Sequence, residues 1–276
     1  MEGLHEDRVK ISDVQMIKAV HANDIKTLHE LIAKGQNSCT LTLCLCWASR
    51  LGYLPLVSLL IDNRADPNTS ILGGYSPLLW ASIFSGDINV IRYLTDHEAN
   101  VNCCSLKRKQ TPLHAAVIKG NNQIVELLID KGANLDDQDY LLKSPLLHAV
   151  QRNLKDCVKT LILNNCNVNL AGFVNGTELS PLLVALMQNN VEITKMLIHA
   201  GARFEQTTIY PTFTLARYYK KVEELNYQIR PVCLKQQCRV SIRERLKPYF
   251  LKKLKHMDIP TVFKQFIRLD ELNTLF

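Results

Sequence analysis

At 276 residues, 47% of them hydrophobic and 21% charged, the chain has the composition of a folded protein of one elongated domain or two ordinary ones. No apolar run is long enough to span a bilayer, and the opening stretch MEGLHEDRVK lacks the hydrophobic core of a secretory signal. The net charge of +7 is uneven: residues 206–276 hold 14 Lys/Arg against 6 Asp/Glu, whereas residues 1–205 hold 19 against 20. That contrast places a boundary near residue 206.

The nine cysteines are irregularly spaced and form no paired Cys-x2-Cys knuckles. Zinc-finger spacing is absent, and most of them fall within apolar runs, where cysteine acts as a small hydrophobe. They read as reduced thiols, which fits a cytoplasmic or nuclear protein. Neither Cys44/Cys46 nor Cys103/Cys104 has a histidine or carboxylate at metal-binding spacing, so no metal and no cofactor is expected.

In chain order, the first regular feature is a partial unit, AVHANDIKTLHELIAKG, from Ala19. Related units follow from Leu43 (LCLCWASRLGYLPLVSLLIDNRADPN), Ser76, Thr111, Ser144 and Ser180. The last four open on Ser-Pro or Thr-Pro, and their prolines, Pro77, Pro112, Pro145 and Pro181, are separated by 35, 33 and 36 residues. Each unit has the same physical logic. A hydroxyl caps the first free amides of a helix, and proline fits the first turn, where a missing N–H costs nothing. A short inner helix of Leu and Ala follows, then a polar break such as Lys119-Gly120-Asn121. A second helix carries Ile124, Val125, Leu127 and Leu128 at helical spacing, and Gly132 suits its C-terminal cap. One unit cannot bury both faces, but stacked units can. The third unit has one extra residue between Pro77 and Gly86, which predicts a helix irregularity there. Longer connections lie at Thr69–Tyr75 and Ala171–Leu179.

These units resemble the ankyrin repeat, whose period is about 33 residues and whose signature is T-P-L-H-x-A. TPLHAA at Thr111–Ala116 matches fully, while Leu79, Leu147 and Leu183 replace the histidine in other copies. The resemblance implies an all-α solenoid of six repeats over residues 13–205 that binds protein partners and catalyses nothing. Its concave face would present Ile71, Tyr75, Trp80, Phe84, Lys107, Arg108, Lys109, Tyr140 and Phe173 to a protein substrate. Trp80 equally suits packing between repeats, and Lys107–Lys109 equally suits a solvated hairpin tip. His114 and His148, at inner-helix starts, read as structural residues bonding loops. No nucleophile with a paired base, Gly-rich phosphate loop or HExxH helix accompanies them.

Residues 206–230 break the rhythm, with Phe213, Leu215, Ala216, Tyr219, Val222 and Leu225 in a helical stripe. They read as a helix capping the last repeat. Beyond Pro231, residues four apart on a helix turn by only about 40°. Leu234, Cys238 and Ile242 therefore line one narrow strip, which Leu246 extends. Lys235, Arg239, Arg243 and Arg245 flank it, the pattern of a helix docked in a partner's groove. Ile259-Pro260 starts a further helix with Phe263, Phe266 and Ile267 on one side.

This segment, residues 231–276, resembles a SOCS box of three short helices, and with the repeats it places the chain close to the ankyrin-repeat and SOCS-box family. The resemblance implies that Leu234, Cys238, Ile242 and Leu246 bind Elongin C, with Cys238 selected for its small shape. It implies that Ile259, Pro260, Phe263, Phe266 and Ile267 meet cullin-5, although Asp258 stands where the family has its first proline. The implied function is substrate recognition in an Elongin B/Elongin C–cullin-5–RING-box ubiquitin ligase, with no membrane or nucleic-acid partner. Two alternatives remain: an ankyrin scaffold outside any ligase, and nucleic-acid binding through the basic residues after 205. A steep salt dependence would mark the latter.

Overall fold

The computed structural model describes residues 11–35, 38–71 and 73–203. The expected capping helix and SOCS box, residues 206–230 and 231–276, lie outside the described residues. So do the residues assigned to Elongin C (Leu234, Cys238, Ile242, Leu246) and to cullin (Ile259, Pro260, Phe263, Phe266, Ile267). The described residues form twelve α-helices, one π-helical segment and one two-stranded hairpin. The chain divides into two compact units, the first ending at Ala115 and the second starting at Ala116.

The first unit contains α1 (Ile11–His21), α2 (Ile25–Ala33), α3 (Ser38–Leu51), α4 (Leu54–Asp62), α5 (Pro77–Trp80) and α6 (Ile88–Asp96), with a π-helix over Ala81–Ser85. Helix α3 packs on α1, α4, α5 and the π segment, while α4 packs on α2 and α6. Two rows result: α1, α3 and α5 with the π segment in one, and α2, α4 and α6 in the other. The second unit begins within α7 (Pro112–Lys119) and continues with α8 (Asn122–Asp130), α9 (Pro145–Gln151), α10 (Lys155–Leu163), α11 (Pro181–Met187) and α12 (Val191–His199). Here α9 packs on α10 and α11, and α10 on α8 and α12.

The Ser-Pro openings act as the sequence requires. Ser76, Ser144 and Ser180 accept hydrogen bonds from the amides of Leu79, Leu147 and Leu183 at 3.2, 3.2 and 3.3 Å. Such caps contribute about 1 kcal/mol each. The break between helices recurs as one left-handed residue per unit: Asn23, Gly52, Gly86, Gly120, Asn153 and Asn189 all have positive φ. Asparagine and glycine are the residues that tolerate this conformation. The following helices are capped by Asp24, Asp87, Asn121 and Asn190.

The irregularity expected in the third unit is the π-helix. Its extra residue is absorbed by wider turns, with the Gly86 amide bonded to the Ala81 carbonyl five residues back at 2.8 Å. Ser82 and Ser85 donate their hydroxyls to the carbonyls of Leu78 and Ala81.

One long connection proved more regular than a loop. Gly172–Val174 pairs antiparallel with Thr177–Leu179, Phe173 facing Glu178. Asn175 and Gly176 close this hairpin with φ of 52° and 80°, the signature of a two-residue primed turn. Gly172 is required by space as well: a Cβ there would sit 2.5 Å from the Leu142 carbonyl oxygen. The other connection makes a smaller version, an isolated bridge between Ile71 and Tyr75.

The cores are aliphatic. Met16, Leu28, Leu45, Leu56, Leu60, Leu78, Leu79, Ile91 and Leu94 are fully buried in the first unit, and Ile124, Val125, Leu128, Val158, Leu161 and Leu197 in the second. Cys44, Cys46, Cys157 and Cys166 are buried among them. Burial pushes the thiols of Cys44 and Cys46 up to about 12 and that of Cys157 to about 11, so they are packing groups and poor nucleophiles. Leu161→Ala is expected to cost about 2–5 kcal/mol, because neighbours close only partly around the lost methyls. Gln123→Ala on the exposed face of α8 should stay within about 0.5 kcal/mol. Urea unfolding of the two variants side by side checks the pair.

Candidate binding surface

The inner row of the first unit carries an aromatic cluster on its half-exposed side. Trp47 on α3 and Trp80 on α5 lie with ring centroids 5.6 Å apart. Phe84, from the π segment, sits 5.0 Å from Trp80, and Tyr75 meets Trp80 edge-on at 5.9 Å. His21 closes the other end, 4.7 Å from Trp47. The guanidinium of Arg50 lies over three of these rings, 4.3 Å from the Phe84 centroid, 4.9 Å from Trp80 and 5.0 Å from Trp47. Trp47 and Arg50 stand three residues apart on one helix, which sets them side by side on the same face. Phe84 remains 45% exposed, so the cluster is a surface and not a core. The buried Trp80 Nε1–H finds no acceptor among the described residues, a cost of about 1–3 kcal/mol for a buried donor.

Of the predicted contact residues, the structure brings Ile71, Tyr75, Trp80 and Phe84 together here. Ile71 is bridged to Tyr75, and Tyr75 touches Trp80. Trp80 packs on the ring of the preceding repeat, as the inter-repeat reading expects, and is itself half-buried. Lys107, Arg108 and Lys109 are exposed on the next tip. That tip is tied to the cluster's turn by a hydrogen bond from the Leu106 amide to the Gly73 carbonyl at 2.9 Å. Gly74 permits the approach, since a Cβ there would meet Leu106 Cγ at 2.7 Å.

Tyr140 and Phe173 belong to the second unit. They are 56% and 38% exposed, and the Phe173 amide donates to the Leu141 carbonyl at 2.7 Å. They occupy adjoining tips of that unit.

Sequence reasoning missed His21, Trp47 and Arg50. The signal was present: Trp-Ala-Ser occurs at Trp47–Ser49 and again at Trp80–Ser82. The second unit of the sequence lacks the Ser/Thr-Pro opening, so its inner face had no register mark.

His114 and His148 are buried and hydrogen-bonded within their own units. His114 Nδ1 lies 2.8 Å from the Thr111 hydroxyl. His148 Nε2 lies 2.8 Å from Asp139 Oδ2 in a buried pair. Asp139 Oδ1 also accepts from the amides of Leu141 and Lys143 at 2.9 and 3.0 Å, which folds the tip that displays Tyr140. Burial pushes the Asp139 carboxyl up, but the hydrogen bonds from His148 and these amides outweigh it and hold the group below its ordinary range. Among the described residues no group of three His, Cys, Asp or Glu is placed to hold a metal ion. None of their helices is long and apolar enough to cross a membrane.

A repeating helix pair with capped Ser/Thr-Pro openings and left-handed turn residues defines an ankyrin array. The family model of ankyrin repeats in three copies matches residues 16–103, 45–139, 97–172 and 141–208, and the chain belongs to this family. No curated protein matches it. Ankyrin arrays are scaffolds for protein–protein interaction, so the chain is a binder of a protein partner.

Proposed function

We propose that this ankyrin-repeat protein is the substrate-recognition subunit of an Elongin B/Elongin C–cullin-5–RING-box ubiquitin ligase, acting in the cytoplasm or nucleus. The observation that carries the reading is the sequence Leu234-x3-Cys238-x3-Ile242, set about 30 residues after an ankyrin array. Leu234, Cys238, Ile242 and Leu246 bind Elongin C. Ile259, Pro260, Phe263, Phe266 and Ile267 engage cullin-5. The array holds the target through residues such as Ile71, Tyr75, Trp80 and Phe84.

The chain then contributes position and not bond chemistry. Holding a target lysine near a charged thioester raises its effective concentration, which by itself accelerates transfer. Co-expression of the full chain with Elongin B and Elongin C, followed by size-exclusion chromatography, tests the reading. A stable ternary peak supports it. A folded chain that elutes alone overturns it and leaves an ankyrin scaffold outside any ligase.

A further inference from the structure

We infer that the aromatic surface of the first unit is a docking site for an acidic protein segment, with Arg50 receiving one of its carboxylates beside an apolar side chain. This rests on the array as the protein-binding part and stands independently of the Elongin reading.

The charge pattern points to the occupant. Helix α3, helix α5, the π segment and the tips over 69–76 and 103–110 contain Arg50, Lys107, Arg108 and Lys109 and not one Asp or Glu, while α1, which brings His21, adds Lys18 and one carboxylate, Asp13, that accepts from the Thr40 hydroxyl. Arg50 forms no ion pair with any described carboxylate. Its guanidinium carbon lies within 5.0 Å of the ring centroids of Trp47, Trp80 and Phe84. A cation–ring contact does not consume the guanidinium's N–H donors, which stay available to a planar acceptor. A carboxylate accepts two such bonds in parallel. Rings held against one another fix the cation before the partner arrives, so little side-chain freedom is lost on binding.

The apolar half of the site is also on the surface. Phe84 is 45% and Leu106 74% exposed, and the Leu106–Gly73 hydrogen bond joins the basic tip to the Tyr75 turn. A segment anchored at Arg50 can thus continue toward Lys107–Lys109 over an apolar floor. A protein segment suits this better than a nucleic acid. Trp80 already has Trp47, Phe84 and Tyr75 as ring neighbours and Arg50 above it, so its ring is engaged within the cluster and not presented as a stacking platform for bases.

The chain has two tryptophans, Trp47 and Trp80, and both are in the cluster, so tryptophan emission reports on this surface alone. Panning a phage-displayed random dodecapeptide library on the full chain, then titrating the recovered peptides by tryptophan emission, tests the site. Asp/Glu-rich peptides carrying Leu, Ile or Phe are expected, each shifting the emission. Arg50→Gln should weaken them at least about tenfold, as loss of a central arginine anchor does. Lys107→Glu/Arg108→Glu/Lys109→Glu, whose side chains are exposed, should weaken them also and flatten their salt dependence.

The inference is overturned if a folded chain recovers no peptide, or peptides without an acidic excess. It is equally overturned if both variants bind as wild type does, or if the emission does not move. Displacement by single-stranded oligouridine would assign the surface to nucleic acid instead. A phosphoserine peptide outbinding its glutamate counterpart tenfold would replace the carboxylate by a phosphate. No Elongin enters the experiment, so its failure and that of the ligase reading are separate.

Discussion

The full chain carrying Leu234→Ala and Cys238→Ala should no longer co-elute with Elongin B and Elongin C, while its ankyrin array unfolds at the same urea concentration as wild type. The two residues stand four apart in sequence, and in the proposed complex they are the central anchors of a narrow apolar strip. Truncating a central, fully desolvated anchor costs about 2 kcal/mol or more, roughly a thirtyfold loss of affinity for one residue. Two neighbouring anchors do not add strictly, but together they exceed what survives a chromatographic run. Arg243→Ala and Arg245→Ala, flanking charges, should alter mainly the association rate and its salt response. Co-elution that persists in raised salt marks apolar docking, since a phosphate-driven complex weakens steeply. A double variant that still co-elutes would sink the assignment of these residues.

Asp139→Ala should be among the most destabilising single changes in the second unit, by about 3–5 kcal/mol in urea unfolding. The carboxylate is 2% exposed. Its removal strands the amides of Leu141 and Lys143 and the Nε2–H of His148 at once, the last two buried donors that had exchanged water for this one acceptor. Asp139→Asn keeps an oxygen for the amides and should cost less. The pH dependence has a definite sign. The folded carboxyl titrates below its ordinary value of about 4. Its contribution is therefore complete above the unfolded value and is lost as pH falls through the folded one. The gap in stability between wild type and Asp139→Asn should narrow below about pH 4. A gap unchanged down to pH 2 would show that the carboxylate is not held in its charged form.

Much of this architecture was legible because it is local. The Ser-Pro and Thr-Pro openings, the apolar spacing of the second helices and the Gly or Asn breaks each follow from contacts within a few residues, and their recurrence fixed the register of the array. The π-helix was visible as a one-residue surplus between Pro77 and Gly86, because a helix between two fixed ends can accommodate an extra residue only by widening. The hairpin over 172–179 was readable in principle from Asn175-Gly176, but a nine-residue connection with two three-residue strands offers too little alternation to separate from a loop.

The binding surface divides the same way. Repeat register alone places Tyr75, Trp80 and Phe84 on inner helices and tips. Their union in one cluster with Trp47, His21 and Arg50, centred on Arg50, comes from the packing of the repeats. Those residues come from three successive repeats, and the distances between their rings depend on how helices stack across a gap of some 30 residues. The same holds for His148: it was visible at an inner-helix start, but its pairing with Asp139 depends on the fold of the tip between them. Helix starts and stops are set by the chain's near neighbours, whereas a cation over three rings is set by the packing of one repeat upon the next.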